Sequence, residues 1–205
     1  MSKDNSLTRI TLIKNLFWKF SERMTSQVVT FIISIILARL LSPSDYGVIA
    51  IINVFISIAN TLVTSGFASS LIQKRDADEL DFSSIFFVNL FTSTVIYMLL
   101  FFNSKAIARF YNIPQLYLYL RVLGLQIIIY AFNSVQQAYL SKHMMFKNYF
   151  FSTLSGTIAS GMLGVFMAYL NFGVWALIFQ SLSSSIINAI VLWFTVKWRP
   201  VAKVS

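Results

Sequence analysis

The sequence predicts an all-α integral membrane protein built from six transmembrane helices, and three observations carry that expectation. The first is composition: of 205 residues, 57% are hydrophobic and only 11% charged, with a mean hydropathy of +0.73, whereas a soluble domain carries about 25% charged residues. The second is the length of the apolar runs. Read with a window of about 19 residues and a demand for about 20 mostly apolar residues per crossing, six segments qualify. The third is that these runs are continuous rather than alternating and too long for barrel strands. A backbone in lipid finds no water to bond, so each span should be a helix.

The expected spans are 17–40, 46–72, 82–102, 116–140, 149–170 and 172–196, forming one transmembrane lobe over 1–205. The first begins behind a polar stretch carrying Lys3, Arg9, Lys14 and Lys19. Its apolar part has full span length and no small-x-small cleavage site, so it reads as an uncleaved first helix rather than a signal peptide. Turn chemistry parts the spans: Ser42-Pro43-Ser44-Asp45 after the first, the polar KRDADELD run after the second, Asn112-Ile113-Pro114 before the fourth and Asn171-Phe172-Gly173 before the sixth. The segment Ser104 to Tyr111, amphipathic with Lys105 and Arg109 four apart, is expected on the outer interface in a structural role. With the N-terminus cytoplasmic, twelve of the 16 Lys and Arg residues fall on the cytoplasmic side and only Arg39, Lys105, Arg109 and Arg121 on the other. The positive-inside rule therefore places both termini in the cytoplasm.

Several functions are excluded by what is missing. The chain has no cysteine, which removes disulfides, thiolate metal sites and cysteine nucleophiles. Its single histidine, His143, has no HExxH motif or carboxylate cluster around it, so a metal enzyme has no ligand set. A net charge of +9 invites a nucleic-acid partner, but the basic residues lie between apolar runs rather than on one soluble face.

The spans also carry polar residues. Asn53, Asn60, Asn89, Gln126, Asn133, Gln136, Gln137, Ser160, Gln180 and Ser183 to Ser185 all fall within them. Facing lipid they would be costly, so they should face other helices or a wet cavity. Interhelical bonding and close packing explain any one of them; their number across five spans points to a polar-lined interior. A short internal echo, DYGVIAI at the second span and NFGVWAL at the sixth, places a capping Asp or Asn, an aromatic and a glycine at the outer interface of each.

The runs IILARLLSPSDYG, SGFASSLIQKRD, FYNIPQLYLYLRVL, SKHMMFKN and NFGVWALIFQSL, with a closing WRP, follow one another between Trp18 and Pro200. In this order and spacing the chain resembles the N-terminal portion of bacterial polysaccharide exporters, the Wzx-type O-antigen or exopolysaccharide flippases of the MOP (multidrug/oligosaccharidyl-lipid/polysaccharide) superfamily. The resemblance implies one lobe of a MATE-like, two-lobe fold around a central cavity, working by alternating access in the bacterial cytoplasmic (inner) membrane. It implies as cargo an oligosaccharide on undecaprenyl diphosphate, with membrane lipids as surroundings and no catalysis. The chain supplies one lobe, so it is expected to be a fragment or truncated product, completed by a missing C-terminal lobe or a second copy.

The charges of the first span are then weighed. Glu22 and Arg39 are separated by roughly 25 Å along a helix, close to one hydrocarbon thickness, so they sit near opposite interfaces, with Arg39 snorkelling to headgroups. Two readings stand for Arg23: it faces the cavity and binds the diphosphate bidentately, with Glu22 holding it or carrying a coupling proton or sodium ion, or the two form an interfacial anchor. Lys19, Lys74 and Arg121 are weaker candidates for gathering an anionic lipid head, and each reads more readily as an interface anchor. Gln27, Asn60 and Gln136, with Asn53, Asn133 and Gln137, are candidates for a sugar path, since sugars need donors and acceptors without fixed charge. A small-molecule exporter lobe of the same superfamily is the alternative, although its cationic cargo calls for a more acidic cavity. A truncated product without independent activity is another. A glycan enzyme would need more than Asp76, Asp78, Glu79 and Asp81, which form a short loop beside Lys74 and Arg75.

Overall fold

The computed structural model describes residues 2–64, 79–142, 146–196 and 199–200, with side chains described in most of these from Phe17 onward. Among them are six helices: α1 (Ser2–Leu40), α2 (Pro43–Thr64), α3 (Glu79–Phe110), α4 (Leu116–Lys142), α5 (Phe146–Tyr169) and α6 (Val174–Thr195). Five are long and apolar enough to cross a membrane, and α5 adds a shorter apolar stretch, Thr153–Tyr169. The chain is thus an all-helical integral membrane lobe. Residues 65–72 of the expected second span, together with Lys74 and His143, lie outside the described residues.

The connections follow from local chemistry. Ser42 caps α2: its backbone N–H donates to Asp45 Oδ2 at 3.0 Å, and its hydroxyl accepts from the Asp45 N–H at 3.3 Å. This is a reciprocal capping box with Pro43 in the first turn, where a missing N–H costs nothing. Asp45 is therefore the third residue of the helix and not its cap. The other half of the internal echo also differs from expectation. Asn171 adopts φ 60°; its N–H bonds the Ala168 carbonyl and the next N–H bonds Met167. That pattern ends α5, and an asparagine tolerates the left-handed geometry it requires. The N-cap of α6 is Gly173, with φ 55° and no side-chain bond. Asn112 ends α3 in the same way, with φ 55° and bonds from residues 112 and 113 to Arg109 and Ala108.

The three short turns gather at one end of the lobe. Residues from all three, Asp45, Ile113 and Asn171 among them, line a common cleft, and a β-carbon on Gly173 would come within 3.3 Å of Asp45 Oδ1. The opposite end, where α3 begins and α4 and α6 finish, is closed by aromatics. Phe132 stacks on Trp193 with centroids 4.3 Å apart, Phe86 leans against both, and Phe82 meets Tyr139 edge-on. The Arg199 guanidinium lies over Trp193 and bonds the carbonyls of Val196 and Trp193, closing the end of α6.

α4 is the axis of the lobe: 50% of its span is buried against 11% for α1. It packs on α2, α3, α5 and α6, and Leu116, Leu120, Leu123, Ile127 and Ala131 run along the core beside Ile52, Ile56 and Val63 of α2. α5 joins α1 to α6 through small residues. A β-carbon on Gly161 would lie 2.1 Å from Ile33 Cδ1, and one on Gly164 would lie 2.8 Å from Gln180 Cβ. Glycine lets the backbones approach where lipid offers no hydrophobic drive for helices to associate.

Candidate functional site

Between α1, α2, α4, α5 and α6 lies a cavity of about 320 Å³ whose lining is mostly polar and, among the described residues, carries no charge. α1 contributes Thr30, α2 Asn53, α4 Gln126, α5 Thr157 and Ser160, and α6 Gln180 with Ser181, Ser184 and Ser185. Ile33, Ile49, Leu123 and Leu177 supply the apolar wall. The amide of Gln126 fastens α4 to α6: its Nε2 donates to Ser185 Oγ at 2.8 Å, and its Oε1 accepts from Ser181 Oγ at 3.3 Å. Thr157, Ser160 and Ser185 donate to carbonyls of their own helices, which leaves hydroxyl lone pairs facing the space as acceptors. A lining of amides and hydroxyls suits a ligand rich in hydroxyl groups.

On α1 the lining continues as a stripe. Arg23, Gln27, Thr30 and Ser34 recur at spacings of four, three and four, which places them on one helix face, and all four are exposed. Thr30 stands in the cavity, Gln27 about one turn nearer the N-terminus and Arg23 one turn beyond that. Among the described residues no partner engages the Arg23 guanidinium. Lys19 falls one turn earlier by register; its side chain and that of Glu22 lie outside the described ones.

The remaining candidates sit elsewhere. Asn60 is half-buried on α2 and does not line the cavity. Gln136 is fully buried on the part of α4 near Phe86, Val135 and Leu192, and among the described residues neither of its amide atoms has a hydrogen-bond partner. Nearby, Asn89 Nδ2 donates to Ser134 Oγ at 3.2 Å, tying α3 to α4. Arg121 stands at the turn end, far along the lobe from Arg23. Its Nε donates to Ser104 Oγ at 2.9 Å, its guanidinium lies 4.0 Å from the Phe101 ring, and its carbonyl accepts from the Tyr97 hydroxyl at 3.1 Å. This arrangement anchors α4 to α3.

None of the eight candidates drawn from the sequence is among the described residues that line the cavity; Arg23 and Gln27 share a helix face with Thr30, which does. The structure adds Thr30, Thr157 and Ser181, which the sequence reading did not single out because a threonine or serine in a span is ordinary. Their signal was register: Thr30 extends the line of Arg23 and Gln27.

Fold and site define a polytopic helical membrane protein with an interior cavity lined, among the described residues, by uncharged side chains, most of them polar. Residues 36–205 match the model of a family described as "Polysaccharide biosynthesis protein", and the chain belongs to that family. It is 24% identical over 191 residues to the succinoglycan biosynthesis transport protein ExoT of Rhizobium meliloti, covering 93% of this chain and 38% of that protein. It is 23% identical over 156 residues to the lipopolysaccharide biosynthesis protein WzxC of Escherichia coli, covering 76% and 31%. The teichuronic acid biosynthesis protein TuaB of Bacillus subtilis is 29% identical over 119 residues, covering 58% and 22%. The chain therefore spans about a third of the length of the curated relatives it matches. No solved structure matches it.

Proposed function

We propose that this chain is one lobe of a two-lobe exporter that moves an oligosaccharide linked to polyprenyl diphosphate across the bacterial inner membrane during polysaccharide or lipopolysaccharide synthesis. Both termini face the cytoplasm, and no bond is made or broken. The observation that carries this reading is the stripe on α1. Arg23, Gln27, Thr30 and Ser34 are exposed on a helix headed into lipid, where polar groups are expensive. That face belongs against water and a second lobe, whether a C-terminal half or another copy. The chemistry is graded along it. A guanidinium near the membrane edge suits a diphosphate through paired charge-assisted bonds, and the amides and hydroxyls beyond suit sugars. A lining without acids among the described residues disfavours a cationic small molecule as cargo.

The test uses the complete protein in a strain lacking its own flippase. Arg23→Ala at normal expression is expected to lower surface polysaccharide roughly tenfold, the scale of one lost charged hydrogen bond. Arg23→Lys should rescue poorly, since an ammonium keeps the charge without the planar fork. Full surface polysaccharide with Arg23→Ala would sink the assignment.

A further inference from the structure

A second cavity, larger than the one in the polar interior, lies at the turn end. It measures about 500 Å³ and is lined by Lys105, Ala108 and Arg109 of α3, by Asn112 and Pro114 of the following turn, and by Tyr117 of α4. Lys105 and Arg109 are four residues apart and both exposed, so they share one face of the last turns of α3. The left-handed Asn112 reverses the chain, and the turn folds back to make the opposite wall.

The side chains lining this cavity carry several hydrogen-bond donors and two cations. The Lys105 ammonium, the Arg109 guanidinium, the Asn112 side-chain amide and the Tyr117 hydroxyl have no hydrogen-bond or ion-pair partner among the described residues. Neither cation is spent on the end of α3: the backbone N–H groups of Tyr111, Asn112 and Ile113 already bond the carbonyls of Ile107, Arg109 and Ala108. Arg121, the third cation nearby, is engaged by Ser104 and Phe101 and lies 5.5 Å from the ring centroid of Tyr117, behind the cavity wall. Among the described residues no acid lines the cavity; Asp45 lies in a neighbouring cleft that Ile113 of the same turn helps to line.

Depth in the membrane narrows the ligand. α3 has 32 residues, roughly 48 Å at ~1.5 Å per residue, well beyond the ~30 Å of hydrocarbon. Counting about 20 residues from Phe82 reaches the far edge of the hydrocarbon near residue 102. Lys105 and Arg109 then stand on the order of 5 and 10 Å past it, in the headgroup layer. The helix runs past the expected end of the third span because its last turns build this cavity.

We propose that the cavity binds a phosphate group presented at headgroup depth, that of an anionic membrane lipid, through Lys105, Arg109, Asn112 and Tyr117. The site is independent of the export cargo and lies at the other end of the lobe from Arg23.

The test reconstitutes the full chain in nanodiscs of phosphatidylcholine containing a minor share of phosphatidylglycerol and measures, by native mass spectrometry, which lipid stays bound on release. Wild type is expected to retain phosphatidylglycerol preferentially. Lys105→Gln with Arg109→Gln should reduce that preference on the order of tenfold or more, two cations being removed from an anionic surface, with an unchanged helical spectrum because both positions are exposed. Lys105→Arg with Arg109→Lys should keep it. Millimolar pyrophosphate separates the sources: a lipid site retains phosphatidylglycerol in its presence, whereas displacement of the lipid reassigns the site to a soluble phosphate and overturns the lipid claim. Equal retention of the two lipids by wild type, or a preference the double Gln variant leaves intact, overturns the site.

Discussion

At the scale of single residues, two side-chain amides on α4, one half-buried and one buried, show how similar chemistry takes different roles. Gln126 has both ends of its amide engaged by α6 at the cavity wall. Gln136, ten residues on, is fully buried with neither end bonded among the described residues. An unsatisfied buried polar group costs about 1–3 kcal/mol, and replacing it with an apolar group of similar shape removes that cost. Gln136→Leu is therefore expected to leave the thermal midpoint of the purified protein unchanged or raised and to leave surface polysaccharide intact. A marked fall in the midpoint would mean that this amide holds something essential. The sequence placed Gln136 and Asn133 on a sugar path with Asn53 because composition marks a polar residue in a span without saying which side of the helix it takes. Register helps only where a stripe persists, as from Arg23 to Ser34 on α1.

Among the elements, α5 is the one whose sequence most directly sets its packing. Gly164 brings α5 against Gln180, a cavity-lining residue of α6. Gly164→Leu would force that side chain aside, and overpacking of this kind costs about 1–3 kcal/mol. A lowered thermal midpoint is expected, together with weaker polysaccharide export, because Gln180 moves with it. Gly47→Ala is the control: nothing lies within 4 Å of its added β-carbon, and alanine is the better helix former by about 1 kcal/mol, so the midpoint should hold or rise. Equal loss from both would contradict packing as the cause. The six described helices and most of their positions were legible in the sequence, since apolar length and turn residues encode them. The ends were less so. Asn171 was read as opening α6 when it closes α5, because asparagine serves both a helix start and a left-handed finish and only the backbone geometry decides. The third helix was expected to stop near residue 102 because hydropathy falls at Asn103-Ser104-Lys105, although hydropathy marks where lipid ends and not where the helix does.

For the whole molecule, charge and polarity are laid out along the membrane normal. An arginine heads the stripe near the N-terminal end, uncharged amides and hydroxyls occupy the middle, and Lys105 and Arg109 stand at the turn end. The family and the membrane fold were legible from ordered motifs and apolar runs; the cavity, which needs five helices to close around it, was not. The most direct measurement is transport itself. The complete protein is placed in liposomes loaded with a labelled polyprenyl-diphosphate-linked oligosaccharide, and the fraction of sugar open to membrane-impermeant periodate is followed with time. Thr30→Trp, an exposed cavity position that accepts bulk without crowding the core, serves as the blocked form. The account predicts that the reactive fraction rises with time above protein-free liposomes and that Thr30→Trp slows the rise several-fold. No rise with folded protein, or an equal rise with the cavity filled, would contradict it.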